Sequence, residues 1–348
     1  MRGCSERVLS RVGPNRAAIR SAVIGGCVVG LVAGVDVVGG MARWPRACTS
    51  LQFEVGADGT DSRTAWFVFP GLGQRSSVPA ARVLAPALDA PVVSLRLPER
   101  GPFLRPIVQA AHAFVAEHDI TQARLYCSSM GNYLAADILS YLPPGLQVDK
   151  VIFDCSPGHI EQAKQGARVP RLASQLRYPG GILTKPLAAA VSYRPHPDHP
   201  GTVSFRDYAR EIWGSVAPNR NGSSPMLCVW QLQRLCHQDT ARLVRILQSH
   251  LTDDARLAYI MPDPPERDRV VDVVSSAHVL EQALGRSITR LRIEGISHSW
   301  PVGYASLYQE TVARWLGHHL ENSQAARPLT DSAPESLSTW LPRAGGLA

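Results

Sequence analysis

Residues 123–142 read Ala-Arg-Leu-Tyr-Cys-Ser-Ser-Met-Gly-Asn-Tyr-Leu-Ala-Ala-Asp-Ile-Leu-Ser-Tyr-Leu, and the rest of the 348-residue chain is organised around them. A short apolar run through Leu125 and Tyr126 enters a cluster of small residues. Leu134, Ile138 and Leu142 then recur at four-residue spacing, one face of a helix. Strand, tight turn and helix in that order lift a hydroxyl off the end of a sheet, and small neighbours let strand and helix approach closely. The turn is Cys127-Ser128-Ser129-Met130-Gly131, with Ser129 at its apex. Against a Gly-x-Ser-x-Gly pattern the first glycine is replaced by Cys127, which is small enough for the place. Read alone, the pentapeptide fits an ordinary strand-to-helix turn as well as it fits a nucleophile site.

The flanking sequence supplies the layers. Residues 51–56 alternate apolar and polar, as a half-exposed early strand does. Residues 64–69 (Thr-Ala-Trp-Phe-Val-Phe) read as a buried strand that stops at Pro70-Gly71-Leu72-Gly73-Gln74. A second strand is expected at 91–97, an amphipathic helix at 107–118, and a further buried strand at 150–154. Residues 157–254 break this rhythm with Pro/Gly punctuation and a helix-like stretch at 237–250. Strands return at 255–260 and 288–293, with helices at 275–284 and 304–319. Alternating strands and helices predict an α/β fold with a mainly parallel sheet flanked by helices. The expected organisation is a targeting or anchor segment at 1–46, core at 47–156 and 255–321, a helical cap at 157–254, and a disordered tail at 322–348.

The formal charge of +7 is unevenly placed. Residues 1–46 hold seven arginines against Glu6 and Asp36, so the remainder carries only +2 and gives no argument for nucleic-acid binding. Within that segment Arg2, Arg7, Arg11, Arg16 and Arg20 precede an uncharged run at 21–35. A charged stretch before an apolar one is the pattern of an export signal or an uncleaved anchor. Asp36 interrupts the run before the roughly 18 residues that a membrane span needs. Export or membrane association is the expectation, and a soluble protein starting at Met41 the alternative. The expected cap is itself basic, with twelve Lys/Arg against five Asp/Glu over 157–252; an anionic substrate, an acidic membrane surface and a solvated arginine-rich face all fit.

The seven cysteines form no metal-like spacing. Cys127 and Cys155, at the ends of expected core strands, read as buried small hydrophobes, and Cys228 with Cys236 is the pair an exported protein could oxidise. His196-Pro197-Asp198-His199 contains metal-ligand types, but two prolines and no distant partner make it a loop of the cap.

Two more residues complete a pattern with Ser129. Asp268 sits in Glu266-Arg267-Asp268-Arg269-Val270-Val271, shortly after one strand, and His298 follows the next in Gly295-Ile296-Ser297-His298. Each of the three lies beyond the carboxyl end of a strand, the edge at which parallel sheets collect their chemistry. In this order and context the sequence resembles the α/β-hydrolase superfamily over about 51–156 and 255–320, with a cap inserted between. Two departures are Cys127 and the Pro70-Gly71 pair, where that family usually has His-Gly.

The resemblance implies a role for each residue. Ser129 would be the nucleophile, His298 the base that takes its proton and later protonates the leaving group, and Asp268 the carboxylate that orients the imidazole. Asp154, at the end of an earlier strand, competes with Asp268 as the acid. Backbone N–H groups of Met130 and Leu72 would form the oxyanion hole. The implied activity is hydrolysis of a small-molecule or lipid-like carboxylic ester or thioester through an acyl-enzyme, with no metal or organic cofactor and no nucleic acid. A serine at this position argues against haloalkane dehalogenase or epoxide hydrolase chemistry, where an aspartate attacks. Acyl transfer and carbon–carbon hydrolysis use the same triad and stay open, as does a catalytically silent binding protein, which Cys127 and Pro70 favour.

Overall fold

Buried β-branched and aromatic runs set the sheet. The computed structural model describes residues 50–55, 63–98, 104–143, 145–164, 225–237 and 239–317, with isolated positions 30, 31 and 34. Its strands are β1 Ser50–Val55, β2 Thr64–Phe69, β3 Val92–Arg96, β4 Gln122–Ser128, β5 Gln147–Asp154, β6 Leu251–Asp263 and β7 Thr289–Glu294. They form one seven-stranded sheet in the order β1-β3-β2-β4-β5-β6-β7. β1 runs antiparallel to β3, and every other pairing is parallel. In β2 everything after Thr64 is buried, which a parallel strand covered on both faces requires.

The helices are α1 Val78–Leu84, α2 Leu104–Glu117, α3 Gly131–Leu139, α4 Pro225–His237, α5 Thr240–His250, α6 Val273–Leu284 and α7 Ala305–Leu316. One face of the sheet is covered through Ile107 and Phe114 of α2, Leu134 of α3, Leu247 of α5 and Leu280 of α6. The other is covered by α1 and α7, through Leu84, Tyr308 and Val312. The chain therefore leaves β2 toward one face, to α1, and leaves β4 toward the opposite face, to α3. Between the carboxyl ends of these neighbours lies a topological switch point, the crevice where open α/β sheets bind ligands.

The cap expected at 157–254 lies over 165–224 outside the described residues, as do the N-terminal segment apart from positions 30, 31 and 34, and the tail at 322–348. The ends of the expected cap differ from the sequence reading. Ala163 forms an antiparallel bridge with Val271. α5 packs on α3 and α6 as a flanking helix, with Leu243 and Leu247 in the core, and β6 already begins at Leu251. A 3.6-residue period serves a cap helix and a sheet-covering helix alike, so periodicity placed this boundary too late. The Cys228–Cys236 pairing is also corrected. Both lie on α4, where eight residues rise about 12 Å, beyond disulfide reach, and Cys236 is a free thiol. Among the described residues no helix is long and apolar enough to cross a membrane.

At the amino ends of the strands Asp89 accepts from Trp66 Nε1 (2.9 Å) and pairs with Arg124 (2.7 Å) and Lys150, tying β2, β4 and β5 together. Burial works against the charge, but Lys150, Trp66 and Arg124 hold the Asp89 carboxyl below its usual range. At the opposite edge the contact is steric. A Cβ on Gly131, the first residue of α3, would lie 2.8 Å from the carbonyl oxygen of Phe69 at the end of β2. Gly131→Ala is expected to cost about 1–3 kcal/mol through overpacking, read as a lower urea midpoint; an unchanged midpoint would contradict the close approach.

Candidate active site

β4 ends at Ser128, and the next residue leaves the sheet. Ser129 has φ +49° and its N–H donates to Asp154 O (2.8 Å), which extends the ladder to β5 by one bond. A non-glycine residue in this region costs of order 1–3 kcal/mol and persists only where its surroundings impose it. Here they do. Gly131 abuts β2, and a Cβ on Gly71 would lie 3.3 Å from both Ser128 O and Ser129 Cβ. Cys155, after β5, repeats the device with φ +48° and an N–H donated to Ile260 O (3.0 Å). Cys127 is a buried member of the core, and burial pushes its thiol up, as expected of a filler rather than a reactive group.

Asp268 follows β6 and a 3₁₀ turn at Pro265–Arg267. It is fully buried, and its Oδ1 accepts from the N–H groups of Val270 (2.8 Å) and Val271 (2.9 Å). These two bonds fix the carboxylate and leave Oδ2 facing His298 Nδ1 at 2.7 Å. His298, in the loop after β7, presents Nε2 to Ser129 Oγ at 3.1 Å. With Nδ1–H donated to Asp268, Nε2 carries the lone pair and accepts the Ser129 hydroxyl proton. The structure thus brings together, from three separate loops, the three residues that the sequence singled out.

Asp154, the competing acid, lies elsewhere. Its Oδ2 accepts from the hydroxyls of Tyr126 (2.6 Å) and Ser299, and its Oδ1 from Tyr308 (3.2 Å). Ser299 Oγ is also within hydrogen-bond distance of Ser128 Oγ. The neighbour of Ser129 and the neighbour of His298 are therefore joined through one hydroxyl to a buried carboxyl. Burial raises the Asp154 pKa, opposed by the Ser299 and Tyr126 hydroxyls and by the charge of His298.

Met130 begins α3 as its N-cap residue, and Leu72 lies in the glycine turn after β2. Both line the cavity above Ser129, and among the described residues neither backbone N–H has a protein acceptor. The turn is held from within by Gly71 N–H donating to Gln74 Oε1 (3.1 Å), and from outside by Gln231 of α4. Sequence reasoning missed Gln231, since a glutamine inside a helical stretch carries no motif or periodic signal.

The cavity measures about 210 Å³, and its walls include Met130, Pro157, Ile160, Leu235, Val270 and Val271. Among the described lining residues there is no Lys, Arg, Asp or Glu. Cys155, Asp268 and His298 place potential metal-ligand atoms within 4.8 Å of one another. However, both carboxylate oxygens of Asp268 are engaged, and the Cys155 thiol is pushed well up, by burial first and then by Asp154 and Asp268. Asp268 and His298 instead continue in line to Ser129, with the Cys155 thiol packed behind them. His196 and His199 lie outside the described residues.

No protein-family model matches the sequence, and no curated protein matches it. Solved structures do. MenH from S. aureus matches with a TM-score of 0.54 at 12% identity, over 78% of this chain and 98% of that one. An alpha/beta hydrolase from a Medee basin deep-sea metagenome library matches at 0.53 and 11%, over 80% and 97%. A carboxylesterase structure from Nitrososphaera gargenis matches at 0.52 and 11%, over 78% and 97%. At these identities the likeness shows the fold, and the chain has that of the α/β hydrolases.

The raised Asp154 pKa carries a signed expectation. A carboxyl whose folded value exceeds its unfolded value contributes stability at low pH that is lost as pH rises through the folded value. The stability of the parent relative to Asp154→Asn, from urea unfolding between acid and neutral pH, should therefore fall as pH rises. A difference that is flat with pH would contradict this.

Proposed function

We propose that the chain is a serine hydrolase that cleaves a carboxylic ester or thioester with an apolar acyl part, through an acyl-enzyme on Ser129. The observation that carries this reading is the line Asp268–His298–Ser129, with 2.7 Å at Nδ1 and 3.1 Å at Nε2.

In the first half-reaction Ser129 Oγ attacks the acyl carbon while His298 Nε2 takes the hydroxyl proton. The imidazolium that forms is stabilised by Asp268, whose position its two amide bonds fix. Negative charge on the former carbonyl oxygen is received by the Met130 and Leu72 N–H groups, which need no reorganisation because the elbow and the glycine turn already hold them. The intermediate collapses, the leaving alcohol or thiol takes the proton from His298, and the acyl group remains on Ser129. Water, deprotonated by His298, repeats the attack and releases the carboxylate. A wall that is largely apolar and, among the described residues, without Lys, Arg, Asp or Glu favours an uncharged acyl group, since a charged one would lose its hydration without a partner there. The carboxylesterase from Nitrososphaera gargenis, on the same fold, is in keeping with an ester substrate.

A series of p-nitrophenyl esters tests the assignment. Ser129→Ala and Asp268→Asn are each expected to lower kcat by about 10⁴-fold or more with the fold retained, and Asp154→Asn by far less. Undiminished turnover in Ser129→Ala would sink the proposal. A loss in Asp154→Asn equal to that in Asp268→Asn would give the acid's role to Asp154.

A further inference from the structure

The glycine turn that presents Leu72 is held partly from within and partly from outside itself. Gly73 has φ +82°, and Gly71 can carry no side chain without crowding Ser129. Two glycines in four residues leave the backbone many alternatives to the one conformation that sets Leu72 beside the cavity. Within the turn, Gln74 N–H reaches Gly71 O at a long 3.3 Å and Gly71 N–H donates to Gln74 Oε1 at 3.1 Å. The firmer restraint comes from a residue about 160 positions away. Gln231 Oε1 accepts from Gly73 N–H (2.9 Å), while its Nε2 donates to Gln74 O (2.9 Å) and, more weakly, to Gly71 O (3.5 Å). The side chain is 1% exposed. A neutral amide accepts through its oxygen and donates through its nitrogen at one side-chain end, and both are used here.

The helix that carries Gln231 is itself fixed to the nucleophile's helix. Arg234 of α4 pairs with Asp137 of α3 (3.1 Å), which also receives Arg242 of α5 (3.4 Å). Asp137 is 2% exposed, so the first of these pairs is a partly desolvated tie rather than a surface contact. One turn beyond Gln231, Leu235 reaches the wall of the cavity. α4 thus touches the oxyanion turn, the acyl wall and the elbow helix together.

We propose that Gln231 is a positioning residue of the oxyanion hole. From α4, in the chain inserted between β5 and β6, it holds residues 71–74 so that Leu72 N–H meets the tetrahedral intermediate. Docking of that helix thereby becomes a condition of catalysis. The proposal rests on the hydrolase reading above. A donor displaced by about 1 Å costs up to about 10²-fold in rate, and the cost falls on the transition state rather than on substrate binding.

The test uses the full chain with Gln231→Met, similar in length but without hydrogen bonds, and Gln231→Glu, which keeps an acceptor for Gly73 and loses the donor. Steady-state hydrolysis of p-nitrophenyl butyrate is measured with inhibition by phenylboronic acid, which forms a tetrahedral adduct on an activated serine; melting curves report the fold. In folded Gln231→Met kcat should fall about 10- to 100-fold with KM nearly unchanged, and the boronate should weaken by a similar factor. Gln231→Glu should not exceed wild type in either. Wild-type kcat and boronate affinity in folded Gln231→Met would overturn the proposal, as would a loss confined to KM. Unfolding of both variants would make Gln231 a scaffold residue and overturn it equally. A wild-type chain without Ser129-dependent hydrolysis would remove the hydrolase reading and this inference with it; an active wild type with indifferent variants removes the inference alone.

Discussion

A serine held at φ +49° is available to this chain only because two glycines crowd it from either side. Gly131 lets α3 start against the end of β2, and Gly71 lets the turn after β2 pass beside the Ser129 side chain. Neither place tolerates a Cβ without something moving. The same close approach sets Ser129, Met130 and Leu72 around one cavity, at the point where the chain leaves neighbouring strands for opposite faces of the sheet. Strain at the elbow is thus sustained by the two-layer packing on both sides of the sheet, and the geometry of the site inherits its precision from that packing.

Two carboxylates occupy this edge, and their surroundings divide their labour. Asp268 receives two backbone amides and the imidazole, which fix its orientation toward His298. Asp154 receives three hydroxyls in a fully buried setting that raises its pKa. It is therefore suited to bracing Ser128 and Ser299, the residues beside Ser129 and His298, rather than to orienting the imidazole. Residue type alone could not separate the two, since both aspartates end strands of the same parallel sheet. The choice depends on which loop swings His298 toward which carboxyl.

Much of this was legible in the sequence because parallel strands buried on both faces are continuous apolar runs, and 64–69 and 150–154 stand out for that reason. Ser129, Asp268 and His298 were legible from order and context, not from the elbow pentapeptide, whose Cys127 departs from the usual glycine. The seven-residue α1 is too short to display a period. The apolar stripe of α5 fits a cap and a sheet-covering layer equally. Gln231 left no trace at all: its importance lies in what stands opposite it across the fold, and a single chain read in order does not show that.

The central claim is that His298 and Asp268 activate Ser129. Labelling the full chain with a fluorophosphonate, followed by intact mass and peptide mapping, tests it most directly. The account predicts one adduct, on Ser129, formed more slowly in Asp268→Asn and absent from folded Ser129→Ala. No adduct on the folded parent, or one on Ser128 or Ser299 instead, would contradict it.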